Sequence, residues 1–421
     1  MKDQLQFIEP RQLCVGLYVH LDLGWAKRPF MFSSFKIQSE DQVRKLRQLG
    51  LDKIRYDPER SDCEPLPIYT SSAKKSTDEQ AAPAEPSKTP QQRRLEHLKQ
   101  MNAVIRICEK SFAHDVSIAR KLVRDLSTQP DAAVEEAETL VDRLVNSAVT
   151  KPDSVLHAVS GHHTTPDDYE HALNVAVLSL MLAKEIGVTA SDARELGLAA
   201  LFHDISNEEV PRYKSFIDQR CENRVRTVKE AGLSDTVQRL IMQHMEHVDG
   251  SGSPSNLTGE EMDPLAKVLS VVYAYNSLCN PNNPDNAMTP FEAITHMYAT
   301  DHEKYDPQAL SLLMKMLGIY PPGSIVQLSN GTYSIVLSMN PNQPQLPIMR
   351  VHHPTIPRET PLMIDLSKES GITMKNCMPP HELPREVFEY LRPTRRVSYY
   401  FVPRKMLDQP LPGIAWAHAP Q

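Results

Sequence analysis

A chain of 421 residues with 40% hydrophobic and 24% charged residues has an ordinary globular composition and room for two or three domains. Its formal net charge of -7 argues against duplex nucleic acid as a partner, because backbone phosphates need a basic surface, but leaves room for a small anionic ligand. No segment reaches the roughly 18 consecutive apolar residues of a membrane-spanning helix, so we expect no membrane insertion.

The cysteines indicate a reducing compartment. There are six, scattered along the chain without C-x-x-C spacing: Cys14, Cys63, Cys108, Cys221, Cys279 and Cys377. The first residues, MKDQLQFIEPRQLC, lack the apolar stretch of a secretory signal. We therefore expect reduced thiols, a cytoplasmic protein and no zinc ribbon.

The N-terminal part predicts a small α+β unit over residues 1–66, with strand-like alternation at Val15, Leu17 and Val19. Residues 67–92 are rich in Ser, Ala, Pro, Lys and Glu and show no apolar periodicity. That composition predicts a disordered linker.

Helical periodicity then continues from Arg93 for about two hundred residues, with almost no strand signal. We predict connecting helices over residues 93–150 and an all-α bundle over residues 151–323. Apolar stripes within residues 93–148 could pack against a second chain, so a homodimer is one expectation.

The last part of the chain, residues 324–421, predicts a β-containing appendage. Ser324–Leu328 and Tyr333–Ser338 read as strands on either side of Asn330-Gly331. Asn-Gly is a strong hairpin signal because both residues of the tight turn must tolerate positive φ.

The candidate chemistry lies on the helical block. His203-Asp204 follows an apolar helix, His171 lies one helix earlier, and His244 precedes the glycine-rich segment of Gly250 and Gly252. Helices of a bundle can bring such side chains together, and two imidazoles with a carboxylate suit a divalent transition metal. The structural alternative is that the histidines are hydrogen-bonded core residues and that the glycines form a flexible turn.

Five segments resemble the HD-GYP domain in their order along the chain. They are YEHALNVAVLSLMLAKEIG, LGLAALFHDIS, AGLSDTVQRLIMQHMEHVDGSGSP, LAKVLSVVYAYNSL and YDPQALSLLMKMLGIYPPGS. The resemblance implies a mainly α fold: an HD-superfamily helical bundle with a small N-terminal α+β domain and a short C-terminal β appendage. It also implies hydrolysis of cyclic di-GMP at a centre of two or three metals, and a regulatory role for the N-terminal unit.

Carried over by position, the resemblance makes His171 the first metal ligand. It makes His203 and Asp204 the metal-binding pair, with Asp204 also a candidate catalytic residue, and His244 the first member of a His-His pair. Asp167 stands where some members have a ligating Glu. Gly250 and Gly252 become candidates for binding substrate phosphate.

Three expected ligands are replaced in this sequence. Met245 stands in place of the second His of the pair, Tyr273 in place of an Asp, and Arg220 where a further His is expected. Three smaller departures accompany them: Ser206, Asn207 and Ser253 replace Gly, Lys and Tyr. Because methionine and neutral tyrosine are poor ligands for Fe, Mn or Zn, we expect one divalent metal or none rather than two.

Arg220 has two interpretations. Its guanidinium could occupy the position of the second metal, pairing with Asp204 or holding a ligand phosphate. Otherwise Arg220 is a solvated side chain on a helix surface.

Three functions remain open on this basis. The first is a cyclic di-GMP signalling protein with a depleted metal site, weak or inactive as a phosphodiesterase, which binds the nucleotide or a partner such as a diguanylate cyclase. The second is an active phosphodiesterase with a single metal held by His171, His203 and Asp204. The third is a structural module for protein contacts.

Overall fold

The computed structural model divides the chain into two compact units, Met1–Pro86 and Ser87–Gln421. The residues that it describes are 6–20, 34–37, 42–43, 46–47, 51, 53–63, 65, 90–126, 128–150, 154–160, 168–204, 217–340, 343–358, 361–369, 371–394 and 396–403.

The first unit contains a four-stranded antiparallel sheet. Its strands are β1 (Gln6–Ile8), β2 (Tyr18–His20), β3 (Ser34–Lys36) and β4 (Ile54–Asp57), in the order β1-β4-β2-β3. Leu17, Val19 and Ile54 are among the side chains of its core. Most of the predicted linker lies outside the described residues, but its last three positions are already helical, since the next helix begins at Pro90.

The second unit is built mainly from helices. These are α1 (Pro90–Asp125), α2 (Pro130–Val145), α3 (Asp168–Ile186), α4 (Ala190–Phe202), α5 (Ile217–Glu230), α6 (Asp235–Gln243), α7 (Pro264–Cys279), α8 (Pro290–Ala299), α9 (Pro307–Leu317) and α10 (Arg385–Leu391). This confirms the mainly α prediction for the central block.

Local sequence explains where several helices begin. Asp263, Thr289 and Asp306 each precede a proline, and each side chain accepts a hydrogen bond from a backbone N–H in the first turn of α7, α8 or α9. A capping oxygen satisfies an otherwise unpaired donor, and proline at the first helical position loses no hydrogen bond. These signals fix the start of α7, which contributes to the candidate site.

Helix α3 lies at the centre of the bundle. Leu173, Val177 and Leu180 have no exposed surface, and α3 packs on α4 and α7. Helix α4 also approaches α2 closely at Gly197, where a Cβ would lie 2.7 Å from Cγ1 of Val141. Close packing of these helices holds their ends in fixed relative positions.

A seven-stranded sheet completes the second unit. Its strands are β5 (Ser154–Ser160), β6 (Ile325–Leu328), β7 (Tyr333–Ser338), β8 (Ile348–Val351), β9 (Leu362–Asp365), β10 (Met374–Met378) and β11 (Val397–Pro403). The main path is β10-β6-β7-β5-β11, and β8 pairs with both β7 and β9. The predicted hairpin is present as β6 and β7, but Gly331 has φ +81° while Asn330 is not at positive φ, so the connection is not the predicted two-residue turn.

Strand β5 corrects the prediction of an uninterrupted helical block. It pairs antiparallel with β11 along its whole length, from Ser154 opposite Pro403 to Ser160 opposite Val397. The sheet also shares its core with the helices, since Val397 and Tyr399 belong to the same hydrophobic cluster as α3. A seven-residue segment whose partner is more than two hundred residues away carries little local signal.

Within the described parts of the chain, no helix combines the length and apolar character needed to cross a bilayer.

Candidate functional site

Three histidines that are far apart in sequence meet at one end of the bundle. His171 lies on α3, His203 directly follows α4, and His244 directly follows α6. The ring centroid of His203 is 5.1 Å from that of His171 and 5.2 Å from that of His244. His203 and His244 are buried. The structure therefore brings together the three histidines that the sequence singled out.

The same local geometry orients two of these rings. His203 Nδ1 lies 2.7 Å from the carbonyl oxygen of Ala200, and His244 Nδ1 lies 2.6 Å from that of Ile241. A carbonyl can only accept, so both Nδ1 atoms carry a proton and both Nε2 atoms are acceptors in the neutral ring. This is the tautomer that ligates metals through Nε2.

Tyr273 on α7 is the fourth side chain of the cluster. Its ring packs edge-on against all three histidines, with centroid distances of 5.8 Å to His171, 5.4 Å to His203 and 4.9 Å to His244. The residue found in place of an expected aspartate ligand thus contributes an aromatic ring to the cluster, and no carboxylate, at this position.

Asp204 is already paired with a buried cation. The Arg224 side chain on α5 is only 4% exposed, and its Nη2 donates a hydrogen bond to Oδ1 of Asp204. Burial by itself would raise the pKa of Asp204, but the Arg224 guanidinium and then His203 lower it to about 2. The negative charge of this carboxylate is therefore offset by a guanidinium.

Arg224 is the residue that sequence reasoning missed. The pairing with Asp204 that we considered for Arg220 is made by Arg224, one helical turn later on α5. The side chain of Arg220 lies outside what the structure describes. The available signal was the spacing of two arginines four residues apart, which places both on one face of a helix.

His203 and His244 are neutral. Burial lowers the pKa of His203 well below its ordinary value, with further lowering from His171 and His244. Burial, and next the charge of Arg224, lowers the pKa of His244 to about 3. These two neutral imidazoles beside the Asp204–Arg224 ion pair make a cluster with little net charge.

The glycine-rich loop after His244 has a structural basis. Gly250 has φ +79°, where glycine is favoured, and a Cβ on Gly252 would overlap the backbone of Glu246 and His247. The buried Glu246 carboxylate accepts from backbone N–H groups further along the loop, at 2.6 and 3.1 Å. Phosphate binding by either glycine stays a prediction.

Among the remaining sequence candidates, the structure describes Met245. Asp167, Ser206 and Asn207 lie outside the described residues. Met245 follows His244, and its carbonyl accepts from the N–H of Ser253 at 3.1 Å.

The donor set does not fit the metal centre expected from the resemblance. Across the described ranges, no group of three or more His, Cys, Asp or Glu side chains is arranged to hold a metal ion. The Nε2 of His244 is buried without a hydrogen-bond partner, as a ligand would be, but Asp204 is engaged by Arg224. Because the Asp204 carboxylate is held by Arg224, a site of two imidazoles and one carboxylate would lack its anionic ligand.

Two family models match the chain. Residues 153–309 match the HD domain, and residues 5–137 match a domain of unknown function, DUF3391. The second match continues through the predicted linker and into the segment predicted as connecting helices.

Characterised relatives resemble the chain at low identity. The cyclic di-GMP phosphodiesterase PA4108 of Pseudomonas aeruginosa is 26% identical over 80% of this chain and 82% of the relative. The cyclic di-GMP phosphodiesterase PdeB of Borreliella burgdorferi is 22% identical over 42% of this chain and 50% of the relative. The 3'3'-cGAMP-specific phosphodiesterase 3 of Vibrio cholerae is 25% identical over 36% of this chain and 35% of the relative.

These matches agree with the motifs that suggested the HD-GYP resemblance and with the helical bundle that carries them. The chain thus combines a match to the HD domain with an N-terminal match to DUF3391, and it is similar to HD-GYP cyclic di-GMP phosphodiesterases.

Proposed function

We propose that this chain is a signalling protein that binds a cyclic dinucleotide, with cyclic di-GMP as the first candidate, without hydrolysing it efficiently. The observation that carries the proposal is the buried Arg224 guanidinium bonded to Asp204, inside the cluster where a metal-dependent enzyme needs that carboxylate.

The physical reason is the difference between a guanidinium and a metal ion. Metal-assisted hydrolysis depends on a cation that lowers the pKa of a bound water and polarises the phosphoryl group. Arg224 keeps a fixed positive charge and donates hydrogen bonds, but it cannot coordinate a water. It can neutralise Asp204 and support a phosphate, which favours binding over turnover.

The ligand class rests on the relatives. PA4108 and PdeB are named for cyclic di-GMP, and the Vibrio cholerae relative is named for 3'3'-cGAMP. Their shared chemistry is a cyclic dinucleotide with two phosphodiesters. We retain as proposals a diguanylate cyclase as protein partner, a homodimer, and a location in the cytoplasm.

The test measures binding and turnover separately on the full chain. Bound metal per chain is determined after purification, cyclic di-GMP binding by equilibrium dialysis with labelled nucleotide, and hydrolysis by chromatography with Mn(II) or Fe(II) added. We expect saturable binding and no conversion to the linear dinucleotide or GMP. Turnover that rises with added metal would overturn the proposal.

A single-metal phosphodiesterase is the second candidate. It is favoured by one observation, that His203 and His244 both present Nε2 as an acceptor toward the cluster. In that case one bound metal and slow turnover appear together, and both disappear with a chelator. Absence of both metal and nucleotide binding would instead support a module for protein contacts.

A further inference from the structure

Three asparagines connect the candidate site to the edge of the sheet. Asn174 on α3 and Asn276 on α7 are buried, and Asn280 follows the last residue of α7. At one end this asparagine relay contacts strand β11, and at the other end it contacts His171.

The strand fixes the orientation of two of the three amides. The backbone N–H of Tyr399 donates to Oδ1 of Asn174 at 2.8 Å, and that of Val397 donates to Oδ1 of Asn280 at 2.9 Å. A backbone N–H can only donate, so in both side chains the oxygen must face the strand N–H. The carbonyl of Val397 accepts from both NH₂ groups, which agrees with this orientation.

The orientation of the third amide, that of Asn276, follows from the orientations of the other two. The NH₂ groups of Asn174 and Asn280 both donate to the same atom of Asn276, and Asn280 does so at 2.8 Å. That atom must be an acceptor, so it is Oδ1. The NH₂ of Asn276 therefore faces away from its two neighbours, and it lies 2.6 Å from Nδ1 of His171.

The relay thereby decides which nitrogen of His171 carries the proton. Nδ1 accepts from the NH₂ of Asn276, so in the neutral ring the proton is on Nε2. Nε2 of His171 lies 3.2 Å from Nε2 of His203, which is an acceptor because the other nitrogen of His203 donates to a carbonyl. The contact of His171 with Asn276 and its contact with His203 therefore both require the His171 proton to be on Nε2.

We propose that Asn276, held by Asn174 and Asn280, is a positioning residue that keeps His171 in the Nε2–H form. The Nε2–H of His171 is then a hydrogen-bond donor that faces Nε2 of His203, where a ligand's phosphoryl oxygen that displaces this contact would accept it, and Nε2 does not act as a metal ligand. A ligating histidine needs its proton on the other nitrogen and an acceptor there, usually a carboxylate or carbonyl. The inference deepens the proposed function, because it gives His171 a role in binding.

The test reads the tautomer directly. In metal-free, nucleotide-free full chain labelled with ¹⁵N-histidine, long-range ¹⁵N–¹H correlation distinguishes the two neutral forms, and His171→Gln assigns the signal. We expect the Nε2–H form in the wild type. A wild-type His171 in the Nδ1–H form overturns the proposal, whatever the behaviour of any variant.

Asn276→Asp provides a second readout. A carboxylate accepts from His171 Nδ1, so we expect the ring to change to the Nδ1–H form and the affinity for Mn(II) or Zn(II) alone to rise about 10–100-fold. The matched control is Asn283→Asp, which makes the same change in charge at an exposed helix cap where aspartate serves equally well. A folded Asn276→Asp protein with unchanged tautomer and metal affinity would also overturn the proposal.

These outcomes are distinguishable from failure of the proposed function. If the wild type hydrolyses cyclic di-GMP while His171 keeps its proton on Nε2, the relay stands and the binding function falls. If His171 carries its proton on Nδ1 but the protein binds nucleotide without hydrolysing it, the proposed binding function stands and the proposal about the asparagine relay falls.

Discussion

Replacing Arg224 by methionine should destabilise the metal-free protein and make it respond to divalent cations. Methionine keeps the length and apolar stem of the side chain, so the change removes mainly the guanidinium. Asp204 is then left beside neutral histidines without a counter-charge. A cation that binds Asp204 would replace the missing charge, and binding to the folded state alone stabilises it.

The size of the effect follows from the pair itself. Asp204 has a pKa of about 2 in place of 3.8, which at about 1.4 kcal/mol per pH unit corresponds to about 2–3 kcal/mol. Removing one partner of a fully buried pair costs about 3–5 kcal/mol. The Asp204 side chain is 22% exposed, so water reaches it and the lower values apply. We therefore expect Arg224→Met to lose about 2–3 kcal/mol.

Urea unfolding with EDTA, and then with Mn(II), measures both parts of this prediction. Mn(II) at about 100 times its dissociation constant should restore about 2.7 kcal/mol in the variant and much less in the wild type. The matched control is Arg226→Met on the exposed face of α5, expected to stay within about 0.5 kcal/mol. An Arg224→Met protein as stable as the wild type in EDTA would refute the reasoning.

Two further predictions concern His244 and the loop that follows it. Because the pKa of His244 is lowered to about 3 from 6.5, stability should be complete above pH 6.5 and fall as the pH drops toward 3. Between pH 6.5 and 5 the free energy of unfolding of the wild type should fall by about 2 kcal/mol more than that of His244→Phe. Urea unfolding curves that show the same loss with pH for both proteins would contradict this. Gly252→Ala should cost more than Gly250→Ala, because only at Gly252 does a Cβ overlap backbone atoms, whereas Gly250→Ala pays about 1–2 kcal/mol for its left-handed φ. Equal losses of unfolding free energy would show that the loop relaxes.

The HD-GYP resemblance predicted from sequence that His171, His203, His244 and Tyr273 converge, and each of them lies on a helix of the bundle or directly after one. Helical periodicity predicted the helices themselves, and the order of the motifs that resemble HD-GYP domains supplied the set of residues. The strand at 154–160 was missed because its pairing with 397–403 is remote in sequence.

Arg224 and the asparagine relay escaped prediction for different reasons. Arg224 is one helical turn after Arg220, the position inferred by spacing. Counting along residues 205–216 does not decide between two arginines that are one turn apart. The orientation of Asn276 depends on backbone N–H groups 117 and 225 residues away from the asparagines that they contact. No local pattern encodes which way an amide faces.

Restoring the replaced ligands should therefore fail to restore a metal centre. The obvious triple variant, Arg220→His with Met245→His and Tyr273→Asp, supplies the donors that the HD-GYP resemblance expects. We expect it to fold yet bind Mn(II) weakly and hydrolyse no cyclic di-GMP.

The cause is that two of the retained positions are committed to other interactions. Asp204 is held by Arg224, and His171 receives a hydrogen bond from Asn276 on the nitrogen that must carry the proton in a metal ligand. In the triple variant, as in the wild type, metal affinity should therefore rise when Arg224→Met or Asn276→Asp is added, and each addition should raise it about tenfold or more by isothermal titration. A triple variant that already binds two Mn(II) ions would mean that both interactions yield readily to a metal, and that the absence of ligands alone limits this site.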